Sequence, residues 1–438
     1  MRTSLVVAAS VLVMGCGAVM PVPDAGPACP ALSPDGGTRH GGSVTTDETW
    51  TAAGSPHVLP FDLSVSAKIT LDPCAIVTLA VDKTITVGAN GSIEAKGTAT
   101  QPVVLKNAEG QGNWASIRLI GGSARLSYTV LENGGAALNI GSEFQAALDV
   151  RSAKTTLTAP DPVLFADHLT INGSATQGVY VHSGGGFSSD SQALTIAGSA
   201  GHAATFSPNL VGTLPSGTYT GNTQNDVLLT DELPGAIRWD VTLHDRGIPY
   251  YSGGTTQFGV TSVSAVLTIE PGVVWKFKKG TGELSVDPSS TPSTGVLIAR
   301  GTAEKPLVFT AAEATPAAGD WLGIWMGGDD PRNSLDFVRI EYAGRLQAGS
   351  GSSSCQSLTM GNVSNGAALR VYHLPPATLV TNTTFIQSAT NAIDRGWRND
   401  ARPSLLSSNT FTAINLCNET FPRDMNGACP TPPAPCPK

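Results

Sequence analysis

The residues with the most chemical capacity lie late in the chain. Asp320, Asp329 and Asp330 flank the run Trp321-Leu322-Gly323-Ile324-Trp325-Met326-Gly327-Gly328, with Arg332 close behind. Carboxylates gathered from neighbouring coils of a chain, with a base beside them, would cleave or epimerise a polysaccharide or hold Ca²⁺. Trp321 and Trp325 stand four apart, so in a strand they share a face with Gly323. Facing outward, two indoles and a glycine would form a flat apolar strip suited to a sugar ring. Facing inward, they would be core, although Leu322, Ile324 and Met326 on the other face are the stronger core candidates. Asp320, Trp321, Trp325, Asp329 and Asp330 are therefore the candidate binding residues. The plainer role for the three aspartates is to cap turns through side-chain hydrogen bonds.

A second charged group, Asp394, Arg395, Arg398, Asp400 and Arg402, reads as a solvated loop with surface ion pairs of little individual worth. The seven histidines are scattered, with no HExxH and no pair at helical spacing. Each reads as a surface or turn residue. There is no CxxC, no GxSxG elbow and no P-loop pattern. No catalytic residue, cofactor or metal ligand is assigned on this basis.

The elements that must position these residues are short strands. Ala265 to Gly344 alternates apolar and polar residues in brief runs closed by Gly, Pro, Asp or Asn. Period two is the signature of a strand. Val273, Trp275 and Phe277 take one face of their run, and Val274, Lys276 and Lys278 the other. Val338, Ile340 and Tyr342 oppose Arg339 and Glu341 in the same way. The 438 residues include 49 glycines and 30 prolines but only 14 % charged residues. That balance suits closely spaced strands and tight turns. The net charge is −8, with no Lys/Arg run of nucleic-acid type, so a nucleic-acid partner is not expected.

The same series occurs twice. Ile69-Thr70-Leu71-Asp72-Pro73-Cys74 matches Leu267-Thr268-Ile269-Glu270-Pro271-Gly272. The run from Ser92 through Trp114 to Gly122 matches the run from Val296 through Trp321 to Gly328. Residues from Ala124 match those from Ser334, Gly135 onward matches Gly366 onward, and Ser174 onward matches Ser388 onward. Strand segments are kept while loops change length, as in a repeat frame. Shorter returns, such as Asn382-Thr383-Thr384-Phe385 and Ser408-Asn409-Thr410-Phe411, match the rung of a solenoid. The architecture these repeats predict is an internally duplicated all-β solenoid, with a β-propeller as the alternative.

The pattern of Leu267 to Gly272, Gly301 to Thr310 and Asp320 to Ile324 resembles a group of bacterial surface and secreted proteins with right-handed parallel β-helix bodies. The resemblance covers nearly all of residues 44–412. It implies the fold and a place at the cell surface, and it says little about activity.

The N-terminus reads as an export signal. Arg2 is followed by the apolar run Leu5 to Met14, too short for a bilayer span. Leu12-Val13-Met14-Gly15-Cys16 resembles the bacterial lipobox, which implies cleavage before Cys16 and its lipidation with palmitate. The absence of Asp after that cysteine implies the outer membrane. The alternative is a secreted protein. The expected organisation is a signal peptide over 1–15, a lipid-anchored Pro/Gly-rich tether over 16–42, copy one over 43–235, copy two over 236–412, and a Cys/Pro-rich cap or tail over 413–438.

Beyond Cys16 there are six cysteines: Cys29, Cys74, Cys355, Cys417, Cys429 and Cys436. An even number in an exported chain reads as disulfides. Cys429 with Cys436 is a local pair, Cys355 with Cys417 would tie a loop to the last rung, and Cys74 lies where it could reach Cys29. The functional expectation is a cell-surface lipoprotein scaffold, structural or adhesive, binding a glycan or a surface protein. Its membrane contact is the N-terminal lipid. The alternative is a polysaccharide-active lyase, hydrolase or epimerase.

Overall fold

Alternation sends every second side chain of Ile76–Leu79, Ile117–Ile120 and Val274–Phe277 inward and leaves the others at the surface. Such a strand buries one face and needs partners along both edges. In the computed structural model the partners are the equivalent strands of the coils before and after. The structure describes residues 29–32, 36–137, 145–230, 236–258, 264–286, 294–346, 354–355, 366–398, 402–426, 428 and 436–438. Over these the chain is a parallel β-helix, not a propeller.

In the first half each coil visits three sheets in turn. One has eight strands, from Thr38–Arg39 to Gly217–Thr218, and another has six, from Glu48–Trp50 to Gly185–Phe187. The sheet between them continues through both halves. It has fourteen strands, from Ser43–Val44 to Thr410–Thr412. In the second half the coil visits this through sheet, then a six-stranded sheet from Ala236–Ile237 to Asn391–Arg395. A five-stranded sheet from Val241–Leu243 to Val380–Thr381 completes the coil. Ser354–Cys355 and Phe421–Pro422 form a small antiparallel pair apart from these sheets.

Register on the through sheet threads one interior stack down the molecule. It begins with Leu63, Ile85, Ile117, Leu148, Val179, Ala204 and Val227. It continues with Tyr250, Trp275, Phe309, Ile340, Phe385 and Phe411. The stack is aliphatic in the first half and mostly aromatic in the second. Phe385 and Phe411 lie face to face, ring centres 5.3 Å apart. Corners between sheets are made by single residues in the left-handed region. Tyr128 (φ 42°) and Phe337 (φ 50°) each turn the chain from one sheet to the next without a loop. Each such residue carries a steric cost of about 1–2 kcal/mol, so the packing around it must outweigh that strain.

The two halves repeat local bonds as well as letters. The Trp114 indole donates to the Glu132 carbonyl at 2.7 Å, and Trp321 donates to Glu341 at 2.7 Å. Cys74 and Gly272 both take positive φ, at 67° and 92°. The Thr176 hydroxyl donates to the Gly135 carbonyl and Thr390 to that of Gly344. The partner of Gly135 is therefore Gly344, not Gly366. The strand Ala367–Val371 instead matches the start of Ala146–Arg151, since Leu369 pairs with Ile324 as Leu148 pairs with Ile117. The letters Gly-Ala-Ala-Leu misled the alignment because small residues recur wherever coils approach closely.

The repeat is also displaced by one face. Ile76–Leu79 lies on the eight-stranded sheet, but its counterpart Val274–Phe277 lies on the through sheet. Ile117–Ile120 lies on the through sheet, while its counterpart Gly323–Met326 lies on the six-stranded sheet of the second half.

Cys29 and Cys74 are bonded, with Cα atoms 5.4 Å apart, as their placement predicted. Cys417 is bonded to Cys436, which overturns the expected pairs Cys355–Cys417 and Cys429–Cys436. The reason is the path of the chain end. Asn418 donates its backbone N–H to the Pro437 carbonyl, and Ala392 donates to Cys417. The last residues thus lie beside 417–420, which cover the edge of Asn391–Arg395. Cys16, the signal segment and Cys429 lie outside the described residues.

The N-terminal end is closed by an aromatic cluster. The His40 ring stacks on Trp50 at 4.0 Å, and its Nε2 lies 2.9 Å from His57 Nδ1. Trp50 donates to Glu48 at 2.8 Å, and His57 Nε2 lies 2.9 Å from the Thr51 carbonyl. His57 is buried, contrary to the expectation of a surface residue, because stacking coils cover a position that alternation alone leaves open. Burial lowers the pKa of both histidines below 6.5. The neighbouring imidazole adds to this at His40, while Glu48 opposes it at both. The folded protein thus takes up these protons less readily than the unfolded chain. The cluster contributes its full stability above about pH 6.5 and loses it as pH falls through the lower folded values. Thermal unfolding midpoints should therefore drop between about pH 7 and pH 5, and His40→Gln should flatten that drop.

Candidate functional site

The five predicted binding residues do not converge. Trp321 is fully buried and stacks on Phe277 with ring centres 4.3 Å apart. It lies in the turn ahead of Gly323–Met326, so strand alternation does not apply to it. Trp325 lies on the outer side of that strand, with the Arg370 guanidinium 4.8 Å from its ring centre and Tyr372 beside it. One indole is core and the other is surface, so the proposed strip does not form. Ile324 and Met326 are core, as expected.

Two of the three aspartates, Asp320 and Asp330, cap turns. Asp320 is buried, accepts the Ala317 N–H at 2.8 Å and pairs with Lys279 at 2.7 Å. Burial works against its ionised form, but the bond to Lys279 and the Ala317 N–H hold its carboxyl below the ordinary value. At the matching place Asn113 donates to the carbonyls of Gly134 and Gly173. Asp330 accepts the Arg332 N–H and grips its guanidinium at 3.0 and 2.8 Å, which lowers its pKa. Asp329 is exposed.

The later charged group is corrected in the other direction. Asp394 and Arg395 are buried rather than solvated. Arg395 donates to the Thr420 carbonyl at 2.6 Å, and its Nε lies 3.7 Å from Glu419. Glu419 also accepts from Leu405 N–H and the Ser404 hydroxyl. Nearby, Glu283 pairs with Arg370, and burial raises its pKa against the pull of that guanidinium. Asp394, Arg395 and Glu419 belong to the last coils. The segments that cover them lie far along the chain, so no local pattern announced the burial.

Polar groups gather elsewhere, at a corner the sequence reading did not single out. A cleft of about 470 Å³ is lined by residues that follow three successive strands of the through sheet, namely Ala146–Arg151, Gln177–His182 and His202–Phe206. Arg238 and Trp239, just ahead of Val241–Leu243, form the remaining wall. Trp239 is partly buried, and its indole donates to the Asn209 carbonyl at 2.7 Å. The Asn209 side chain accepts the Arg238 N–H, which fixes the Arg-Trp pair against the third coil. Lys154 and the Ser152 hydroxyl both reach Asp161 at 2.7 Å. Together these outweigh burial and keep the Asp161 carboxyl below its ordinary pKa. Among the described residues the cleft lining thus has two cations, several hydroxyls, an amide and one indole, and no carboxylate.

Behind one lip lies an ordered charge group on the through sheet. Asp149 accepts from Arg118 Nε at 3.1 Å and from Arg151 at 2.8 Å, and lies 2.8 Å from His182 Nε2. Burial disfavours its charge, but the bond from His182, then the two arginines, hold its pKa below the ordinary value. The sequence signal was faint: polar residues on the outer positions of Ala146–Arg151 and Gln177–His182, meaningful only once register aligns them. A second hollow, of about 560 Å³, follows the threonines 170, 195 and 218 on the eight-stranded sheet, beside His168 and Gln192, and lacks any cation or indole.

Among the described residues no group of three or more His, Cys, Asp or Glu could hold a metal ion, and no helix is long and apolar enough to cross a membrane. No family model matches the chain, and no curated protein or solved structure matches it.

Asp320→Ala should destabilise the fold by about 1.5–3 kcal/mol, because it removes a buried charged acceptor that binds the Ala317 N–H and Lys279. Asp329→Ala should stay within about 0.5 kcal/mol of the parent. Urea unfolding of the two variants measures the difference.

Proposed function

We propose that this chain is an exported bacterial lipoprotein, anchored at the outer membrane or cell surface through Cys16. On this reading the β-helix is a structural or adhesive scaffold that binds a glycan at the corner cleft. The observation that supports it is the cleft itself, with the Trp239 indole fixed beside Arg238 and facing hydroxyls and Lys154 from three further coils. An indole offers a flat apolar surface to the C–H face of a sugar, while cations and hydroxyls meet its oxygens. The Cys29–Cys74 and Cys417–Cys436 bonds fit an oxidising compartment outside the cytoplasm. A polysaccharide-cleaving site built of carboxylates from adjacent coils finds no support, since Asp149, Asp161, Asp320 and Asp330 are each engaged in separate pairs.

A soluble chain beginning at residue 17, screened on a glycan array, should bind a defined set of glycans. Trp239→Ala should weaken that binding at least tenfold, or about 1.4 kcal/mol. Unchanged binding in this variant, or no binding by the parent, would sink the cleft reading. Labelled palmitate should enter the full chain in a bacterial host and fail to enter Cys16→Ser; no incorporation into the parent would remove the anchor.

A further inference from the structure

His182 ends the strand Gln177–His182, whose Val179 and Val181 point inward and leave Tyr180 and His182 on the outer side. The Tyr180 ring lies parallel to the imidazole, with centres 4.1 Å apart. An ionised carboxylate only accepts hydrogen bonds. Asp149, at 2.8 Å from Nε2, therefore places the ring proton there and leaves Nδ1 as the acceptor. The Ser183 hydroxyl stands 3.0 Å from that Nδ1. Arg118 and Arg151 fix the other carboxylate oxygen, so Asp149 cannot turn away. Ser183 is held at φ 48°, a left-handed conformation that a serine adopts only when its surroundings impose it. It lines the 470 Å³ cleft, whose cations are Lys154 and Arg238.

A hydroxyl, an imidazole acceptor and a carboxylate that orients the imidazole, opening on a cleft, have the nucleophile–base and base–orienter contacts of an acyl-transfer centre. We propose that Ser183 is a nucleophile for hydrolysis of small O-acyl esters, with His182 as its base and Asp149 as a positioning residue. Ser183 Oγ attacks the ester carbonyl carbon while its proton passes to His182 Nδ1. The tetrahedral adduct expels the alcohol, which takes that proton from His182. Water, giving its proton to His182, then attacks the acyl-serine. Release of the carboxylic acid restores Ser183, so no oxidant or further reactant is required.

This inference shares the cleft with the binding reading, but its probes contain no saccharide, so the two fail separately. The chain from residue 17 is treated with a fluorophosphonate probe and, separately, with p-nitrophenyl acetate. The expected results are a covalent label on the peptide that contains Ser183, and ester turnover that falls at least a hundredfold in Ser183→Ala and in His182→Gln. Asp149→Asn should displace the pH profile of turnover, which a purely structural role would not do. Glu109→Ala, exposed in a turn outside the cleft, should stay within twofold of the parent. Circular dichroism establishes that each variant is folded. No label, a label on another residue, or a folded Ser183→Ala that turns over ester as fast as the parent would overturn the proposal.

Discussion

The parallel pairing of each strand with its equivalent one coil away is the constraint on which the rest of the structure depends. It makes every interior side chain a neighbour of two others at the same register. The stack from Leu63 to Phe411 is the consequence. Val227, Tyr250 and Trp275 make the passage from aliphatic to aromatic filling, and the buried Trp275 indole donates to the Ser252 hydroxyl at 2.9 Å. A polar donor inside such a stack would be costly without that acceptor. Cavities in a close-packed interior cost several kcal/mol, which explains why the inward positions stay apolar in both halves while the outer loops vary.

The same constraint moves chemical variety to two places. One is the outer face of each sheet, where register sets polar residues in rows: Arg118, Asp149 and Tyr180 are successive partners on the through sheet. The other is the corners, where a single left-handed residue serves if the coil is short and a loop grows if it is long. The corner cleft draws on both. Its serines, lysine and arginine come from loops, while the His182–Asp149 pair behind it comes from a sheet face.

The fold was legible because period two and the repeated series are properties of the buried positions themselves. Trp275 and Phe277, Ile324 and Met326, and Val338 and Ile340 are all inward, as alternation required. The candidate site was not legible in the same way. Trp321 looked like a strand residue but sits in a turn, so parity gave the wrong face. Asp394 and Arg395 looked solvated because their cover, residues 404–405 and 417–420, arrives from further along the chain. The Cys417–Cys436 pair depends on where the chain end settles against that same cover. In each case the deciding contact is between coils, and a single coil's letters do not encode its neighbour's position.

The displacement of the repeat by one face explains why the cleft escaped a comparison of the two halves. Aligning copies finds what they share and what is private to one. The cleft belongs to neither. Its lower wall follows through-sheet strands of the first half, and Arg238 and Trp239 enter the first five-stranded-sheet strand of the second. At this junction the eight-stranded sheet stops at Gly217–Thr218, and the short turn of 3-10 helix Val211–Thr213 occupies the place of a further strand. A coil that changes its set of sheets cannot keep every corner filled, because successive corners no longer stack. Trp239 then anchors to Asn209 across the gap instead of to an equivalent corner residue. The hollow is thus the geometric remainder of joining two out-of-phase solenoids, and the polar groups that line it are the ones no sheet had to bury.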